Sequence, residues 1–377
     1  MAAGTRGKRR APRRRGRRSA GRGLVALASA FVVVGTGIGI AWATHSFSGD
    51  DAAAAPNGTL STLGGGGSTV ASPAGAHASA SASAILGAPI SGTSLKPVQT
   101  EPGGAAPVPT NPNVTPFVKP NLNLPHATGP GTVQQLSVPS ADTDLKSRDV
   151  WVYRPAVPAG TVLPVVYLLH GLPGEGSTMI DTVRAGLDEA FTSGGYAPFV
   201  VAGPTGAGND HNDTEWADAA DNGDLVETYL IKNVIPAVEG TTPLPANERA
   251  IVGFSMGGYG AVNIALRHPD LFGQMVSLSG YFHIDDPTGV FAGDRVRESA
   301  NTPDFMVKQA AGKRVLLLED QDETDALISG QTAEFAQRLH DCECGVDLNW
   351  KVTPGGHTLQ YVSDSFPQVI SFLDAGF

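Results

Sequence analysis

Hydrophobic and polar residues follow two patterns in the last two thirds of the chain. Two segments alternate apolar and polar positions, which predicts half-exposed antiparallel strands: residues 132–138 and 148–153. Five later segments are continuously apolar, as in strands buried on both faces of a parallel sheet: residues 163–169, 199–202, 250–253, 275–278 and 315–318. Helical patterns lie between them, and a final strand and helix follow: 224–238 and 332–340, then 347–352 and 361–372. This alternation predicts an α/β fold with a mostly parallel, doubly wound sheet and helices on both faces.

The first 44 residues have a different character. Residues 1–23 contain ten Arg and Lys and no acidic residue, and residues 24–44 are apolar and uncharged. As a helix the apolar segment would span about 30 Å, the thickness of a bilayer core. We predict a basic cytoplasmic segment followed by a transmembrane anchor or signal peptide, with the rest of the chain outside the cytoplasm. Ala41-Trp42-Ala43 has the form of a cleavage site, so whether the anchor is retained stays open.

Residues 45–130 consist mainly of Ala, Gly, Ser, Pro and Thr. Such a segment buries too little apolar surface to offset the entropy of ordering it. We predict a disordered linker here and a single catalytic domain over residues 131–377. The expected location is the cell membrane, with this domain extracytoplasmic, or the secreted fraction.

Charge and cysteine content narrow the possible partners. Ten of the 26 basic residues lie in the N-terminal segment, which leaves 16 against 36 acidic residues. A nucleic-acid partner is therefore not expected, and membrane contact is expected only through the N-terminal segment. Cys342 and Cys344 are separated by one residue, and a bridge between them would hold nothing distant together. A local feature near a strand start is favoured over a redox or metal role.

The segment Ala250 to Ala261 reads as a buried strand, a sharp turn and the start of a helix. Ser255 stands at the turn in the pattern Gly-x-Ser-x-Gly, with Gly253 and Gly257 where the strand and helix approach closely. This geometry exposes a serine hydroxyl and lets the amide of Met256 point at a developing oxyanion. Ser255 is therefore the candidate nucleophile.

A serine nucleophile needs an imidazole base and a carboxylate that orients it. His357 is the candidate base, because it follows the last strand in a glycine-containing loop. The acid is expected after the 315–318 strand, where residues 319–325 include five acidic residues. Asp325 is the first choice, Asp322 the second and Asp320 the third. The chain order serine, acid, histidine is that of the α/β-hydrolases.

Further candidates lie in two loops. The amide of Leu172, after the 163–169 strand, is the expected second oxyanion donor, and His170 is expected to be structural beneath that turn. Trp216 is a candidate for lining the acyl or acceptor pocket, with rim packing as the alternative. The polar run 209–213 has oxygen ligands for a metal, but a solvated loop is favoured, so no metal is predicted.

At this point the residues carry a family resemblance. Residues 163–372 resemble the esterase D-type branch of the α/β-hydrolases, which includes feruloyl esterases and mycolyltransferases. The resemblance rests on four motifs: Leu168 to Gly171, Ile251 to Phe272, Ser277 to Gly280 and Gly355 to Thr358. Asp322 stands where the branch commonly has a glycine, which weakens the assignment of Asp325. The mycolyltransferases are similar but use a glutamate as the acid, and Glu323 leaves that possibility open.

The sequence therefore predicts an extracytoplasmic serine esterase that forms an acyl-enzyme on a small-molecule or cell-envelope ester and needs no cofactor. An acyltransferase that passes the acyl group to a sugar hydroxyl would use the same residues. The alternative of another class is a non-catalytic cell-envelope binding module, which the complete set of serine, histidine and acid disfavours. The segment from Tyr281 to Lys313, where this fold places its lid, is short, which favours an open site. The oligomeric state stays open.

Overall fold

The computed structural model describes residues 115–140, 145–193, 195–208, 211, 213–284, 288–325 and 328–377. The eight strands β1 to β8 are Thr132–Pro139, Ser147–Arg154, Val165–Leu169, Val200–Pro204, Arg249–Phe254, Gln274–Leu278, Arg314–Asp320 and Asp347–Thr353. The seven α-helices α1 to α7 are Gly176–Thr192, Val226–Tyr229, Ile235–Glu239, Met256–Arg267, Arg295–Ala300, Gln331–Asp341 and Leu359–Gly376. The predicted segments 1–23 and 24–44 and most of the 45–130 linker lie outside the described residues.

The strands form one sheet in the order β1-β2-β4-β3-β5-β6-β7-β8. β1 and β2 pair antiparallel and β2 pairs antiparallel with β4, whereas β3 to β8 pair parallel with their neighbours. This confirms the predicted mostly parallel α/β sheet with two antiparallel strands at its start. The connection after β3 runs to one side of the sheet and the connection after β5 runs to the other. A crevice therefore forms outside the carboxyl ends of these two neighbouring strands.

Side chains that alternate along the strands divide the core into two layers. Val165, Tyr167 and Leu169 of β3 join one buried cluster with residues of α4 and α6. Val166 and Leu168 join a second cluster with residues of α1 and α7. Because successive side chains of a strand point to opposite faces, a continuously apolar strand supplies both layers at once.

The helix α4 starts at Met256, inside the segment that is predicted to contain the start of a helix. One predicted helix differs from the sequence pattern. The predicted 224–238 helix contains a π-helical turn, Leu230–Val234, in which the amide of Ile235 bonds the carbonyl of Leu230. Pro236 follows this turn and has no amide hydrogen, so the regular α-helical ladder cannot run through it.

The last residues of the predicted linker pack on the domain. The segment 115–130 is extended, and Phe117 lies with its ring centroid 5.9 Å from the guanidinium carbon of Arg314 at the start of β7. Asn247 donates to the carbonyl of Val118 at 3.0 Å, just before β5. The segment therefore lies along the amino edge of the sheet, and the packed domain extends upstream of residue 131.

Cys342 and Cys344 are joined by a disulfide with a Cα–Cα distance of 5.2 Å. The bridge closes only the turn between α6 and β8, in line with the expectation of a local feature. Within the described ranges, no helix is long and apolar enough to cross a membrane.

Candidate active site

Ser255 lies at the turn between β5 and α4, with φ 57° and ψ −123°. An L-residue rarely adopts positive φ, and such backbone persists where surrounding structure enforces it. Here the amide of Ser255 donates to the carbonyl of Leu278 at 2.9 Å, which ties the turn to β6. A Cβ at Gly253 would collide with the carbonyl of Gly257, and one at Gly257 would collide with that of Leu169. The two glycines thus permit the turn that presents Ser255.

His357 lies in the loop between β8 and α7 and contacts Ser255. Its Nε2 is 2.8 Å from Oγ of Ser255, which is hydrogen-bond distance. The imidazole packs against the ring of Phe254, with a centroid separation of 4.7 Å. The structure thus brings these two predicted residues together across 102 positions of sequence.

The carboxylate nearest His357 is that of Glu323, which differs from the sequence prediction. Oε2 of Glu323 lies 2.7 Å from Nδ1 of His357. Asp325 is exposed, and its backbone amide donates to Oε1 of Glu323 at 2.7 Å, so it supports Glu323 rather than contacting the imidazole. Asp322 is also exposed.

The loop conformation explains why Glu323 takes this position. The amide of Gln321 donates to the carbonyl of Thr353 at 2.9 Å, and that of Asp322 to the carbonyl of Gly355 at 3.2 Å. These bonds hold the chain after β7 against the loop that carries His357. Five acidic residues in seven positions provide no signal in the sequence that would separate Glu323 from its neighbours.

Asp320, the third choice for the acid, lies at the end of β7 and is also close to the imidazole. Its Oδ2 is 3.6 Å from Nδ1 of His357, and its side chain is fully buried. Among the described residues, Asp320, Glu323 and His357 form the one group of three potential metal ligands, with ligand atoms within 4.8 Å of one another. Burial, together with the charges of Asp320 and Glu323, raises the pKa of neighbouring Glu319.

Leu172 and Met256 occupy positions suited to the predicted oxyanion hole. Met256 opens α4, so its N–H is among the first four of the helix, which have no acceptor within the helix. A Cβ at Gly171 would lie 3.0 Å from Cβ of Ser255, so the loop that carries Leu172 touches the serine turn. The role of both amides stays a prediction.

His170 is buried beneath this loop, where the sequence analysis expected it. Its Nε2 accepts from the amide of Gly206 at 2.8 Å, so Nδ1 carries the proton and donates to the carbonyl of Gly171 at 2.8 Å. Burial lowers the pKa of His170, which keeps the ring neutral. Its position supports the loop and offers no route to substrate.

Trp216 does not line an open pocket, contrary to the prediction. Its side chain is fully buried in the core cluster that contains Tyr167 and Ile251. Its Nε1 donates to the carbonyl of His170 at 3.0 Å, and the rings of the two residues meet edge to face at 5.0 Å. Trp216 therefore supports the Leu172 loop from beneath.

A polar group near β6 was missed by sequence reasoning. The hydroxyl of Tyr281 donates to Oε2 of Glu215, and its ring stacks on that of Tyr259 with centroids 5.0 Å apart. Burial, reinforced by the charge of Glu215, raises the pKa of Tyr281 well above its usual range. Tyr281 thus stays a protonated donor three residues after Leu278, whose carbonyl holds Ser255.

Within the polar run 209–213, considered above as a possible metal site, the described residue His211 is hydrogen-bonded to the domain. Residues 209, 210 and 212 lie outside the described residues, but the backbone amide of His211 donates to Oδ2 of Asp224 at 2.8 Å. Asp224 is buried and also pairs with Arg148 at 3.1 Å. These contacts give His211 a structural role, and the solvated loop over the whole run stays a prediction.

Comparisons with known proteins support an esterase. Residues 144–369 match a family model named Esterase and described as "Putative esterase". An endo-1,4-beta-xylanase/feruloyl esterase of Xylanibacter ruminicola is 34% identical over 136 residues, which cover 34% of this chain and 18% of that protein. An S-formylglutathione hydrolase of Bos taurus is 24% identical over 204 residues, which cover 47% of this chain and 70% of that protein.

A solved ferulic acid esterase has a similar fold. It superposes with a TM-score of 0.58 and is 22% identical, with 66% of this chain and 100% of that chain covered. At this identity the similarity extends to the fold alone.

Proposed function

The chain belongs to the Esterase family, and from that premise we propose that it is a serine esterase that hydrolyses carboxylic esters through a covalent acyl-enzyme. Ser255 is the nucleophile, His357 the general base and Glu323 the acid that orients the imidazole. The observation that carries this proposal is the 2.8 Å separation between Nε2 of His357 and Oγ of Ser255. Geometry of this kind identifies a nucleophile and its base.

The reaction follows from this arrangement. Nε2 of His357 takes the proton from Oγ of Ser255 as the oxygen attacks the ester carbonyl. The oxyanion is held by the amides of Leu172 and Met256, and the imidazolium by the carboxylate of Glu323. His357 then gives the proton to the leaving alcohol, and a water molecule activated by the same imidazole releases the acid from Ser255.

The surroundings of the serine support an uncharged, largely apolar acyl group. Leu172 and Leu359, which follow Gly171 and His357 closely in sequence, are 37% and 41% exposed. Excess negative charge on the domain disfavours anionic substrates. The feruloyl esterase among the relatives makes an aromatic acyl ester the first substrate to assay.

We place the catalytic domain outside the cytoplasm. The basic segment 1–23 and the apolar segment 24–44 support export or anchoring. The disulfide between Cys342 and Cys344 supports an oxidising compartment. Extraction of membranes with carbonate, followed by protease digestion of intact cells, would test the location.

A second candidate function is acyl transfer to a sugar hydroxyl. The observation that favours it is that Glu323 contacts His357, because the mycolyltransferases named in the sequence analysis use a glutamate there. The acyl-enzyme would be the same, and the acceptor hydroxyl would replace water in its breakdown.

Both functions are tested by steady-state hydrolysis of an aromatic acyl ester and then of nitrophenyl esters of increasing acyl length, with and without a sugar acceptor. Ser255→Ala and His357→Ala are each expected to lower kcat by about 10⁶-fold, because the nucleophile and its base act as a unit. His340→Ala, at an exposed histidine, is the matched control and should be neutral. Equal activity of Ser255→Ala and the unsubstituted protein would refute the proposal, and an acceptor-dependent product would identify the transferase.

A further inference from the structure

One nitrogen of the His357 imidazole, Nδ1, faces two carboxylates. Nδ1 is 2.7 Å from Oε2 of Glu323 and 3.6 Å from Oδ2 of Asp320. Within the described part of the chain, Oε2 of Glu323 has no partner in hydrogen-bond geometry despite its short distance. The proton on Nδ1 therefore lies between two acids.

Asp320 is held in place by Ser279 at the end of β6. Its Oδ2 accepts from the hydroxyl of Ser279 at 2.9 Å, and its backbone amide donates to the same hydroxyl at 3.3 Å. Ser279 itself is buried, has φ 46° and donates its amide to the carbonyl of Leu318 at 2.7 Å. The bonds between the ends of the adjacent strands β6 and β7 therefore fix Asp320 where its carboxylate faces His357.

The second oxygen of Asp320 has an unusual environment. Oδ1 is buried and has no hydrogen-bond partner among the described residues. A buried carboxylate oxygen without a donor is costly unless a positive charge forms beside it. The Asp320 carboxylate faces His357 through its other oxygen, Oδ2, so the imidazolium that forms when Ser255 gives up its proton would offset part of this cost. An interaction made only in the transition state is one that raises kcat.

We propose that Asp320 is a second positioning carboxylate for His357, which shares with Glu323 the stabilisation of the imidazolium. The inference rests on the proposed function of Ser255 and His357. Neither carboxylate takes the proton: it moves from Oγ of Ser255 to Nε2 and later to the leaving alcohol, while Nδ1–H stays between the two acids. When Glu323 is lost, Asp320 still keeps the Nδ1–H tautomer.

The test is a double-mutant cycle on the full chain with Glu323→Gln and Asp320→Asn. Removing the acid of a serine triad costs about 10⁴-fold in kcat when no other acid is present. We expect Glu323→Gln to lose only about 10- to 100-fold, Asp320→Asn alone about 3-fold, and the double variant about 10⁴-fold. A purely structural role would make the effect of Asp320→Asn the same factor in both backgrounds.

A matched control comes from the same loop. Asp322→Asn removes an exposed carboxylate and keeps the backbone amide of that residue, so it should change kcat less than about 2-fold in either background. Ser279→Ala releases Asp320 without changing charge and should reproduce part of the Asp320→Asn effect in the Glu323→Gln background. A loss of 10⁴-fold for Glu323→Gln alone, or equal factors for Asp320→Asn in both backgrounds, would overturn the proposal.

A second measurement does not depend on turnover. The ¹⁵N shifts of the His357 ring, assigned with His357→Gln, report which nitrogen carries the proton. The Nδ1–H form is expected in Glu323→Gln and its loss in the double variant. If no ester is hydrolysed but the tautomer follows this pattern, the proposed function fails while the role of Asp320 stands. Loss of the Nδ1–H form in Glu323→Gln alone would overturn the role of Asp320.

Discussion

At the scale of single residues, Trp216 gives a prediction about the oxyanion loop. Trp216→Phe removes the indole N–H and leaves the carbonyl of His170 buried without this donor. We expect the free energy of unfolding to fall by about 1–3 kcal/mol, and kcat to fall several-fold because the loop carrying Leu172 is less fixed. Urea denaturation and steady-state kinetics measure the two effects.

Trp350 provides the matched control. Its indole nitrogen is buried but has no hydrogen-bond partner among the described residues, so Trp350→Phe removes no bond. Because removal of an unpaired buried donor offsets part of the lost packing, that substitution should destabilise the protein less than Trp216→Phe and leave kcat unaltered. Equal losses from both tryptophan substitutions would show that the indole volume, and not the bond to His170, is what matters.

The same scale shows how far single residues could be identified from the sequence. Ser255 could be recognised because its neighbours Gly253 and Gly257 are required by close backbone approach. His357 could be recognised because the loop after the last strand reaches the same edge of the sheet. The acid could not, since the choice between Glu323 and Asp325 depends on backbone bonds from the β7 loop to Thr353 and Gly355. Trp216 was misplaced because its aromatic ring suits a pocket wall and a core equally.

At the scale of elements, the segment 115–130 should stabilise the domain without affecting the site. The ring of Phe117 lies against Gly273 and Arg314 at the amino edge of the sheet, whereas Ser255 lies at the carboxyl edge. Phe117→Ala is expected to lower the free energy of unfolding by about 1–2 kcal/mol, less than at a fully buried phenylalanine, with kcat and KM unchanged.

Val118→Ala is the control for this segment, since Val118 is 63% exposed and should be neutral. Urea denaturation followed by fluorescence measures both variants. A drop in kcat for Phe117→Ala at unchanged stability would contradict the assignment of this segment to a purely stabilising role.

Strands and helices were predicted well where the hydrophobic pattern is regular. They were predicted less well where the backbone departs from regular geometry. The buried strands of the sheet were found because segments of four residues or more with continuous apolar sequence are typical of strands covered on both faces. The 224–238 helix was predicted as continuous, because its apolar pattern does not show the π-helical turn Leu230–Val234. Composition alone did not separate residues 115–130 from the linker, because few large apolar residues such as Phe117 anchor them.

At the scale of the whole molecule, the alternation of strand and helix predicted the fold. The ionisable groups that this fold buries determine how its stability depends on pH. Lys313, just before β7, is 6% exposed and donates to the carbonyls of Pro269 and Phe272. Burial lowers its pKa to about 8. In the unfolded chain a lysine has a pKa of about 10.4, so above pH 8 the unfolded state holds the extra proton.

Stability should therefore rise with pH through this window. Because the unfolded state binds more protons between the two pKa values, the free energy of unfolding is expected to increase by about 2 kcal/mol from pH 7 to 9.5. Above about pH 10 the trend should reverse, since burial raises the pKa of Tyr167 and the unfolded chain then releases its tyrosine proton first. Lys313→Gln removes the titrating group and should abolish the rise, whereas Lys308→Gln, at an exposed lysine, should retain it. Urea denaturation across this range measures the slope, and the same rise in the Lys313 variant would assign it to other groups.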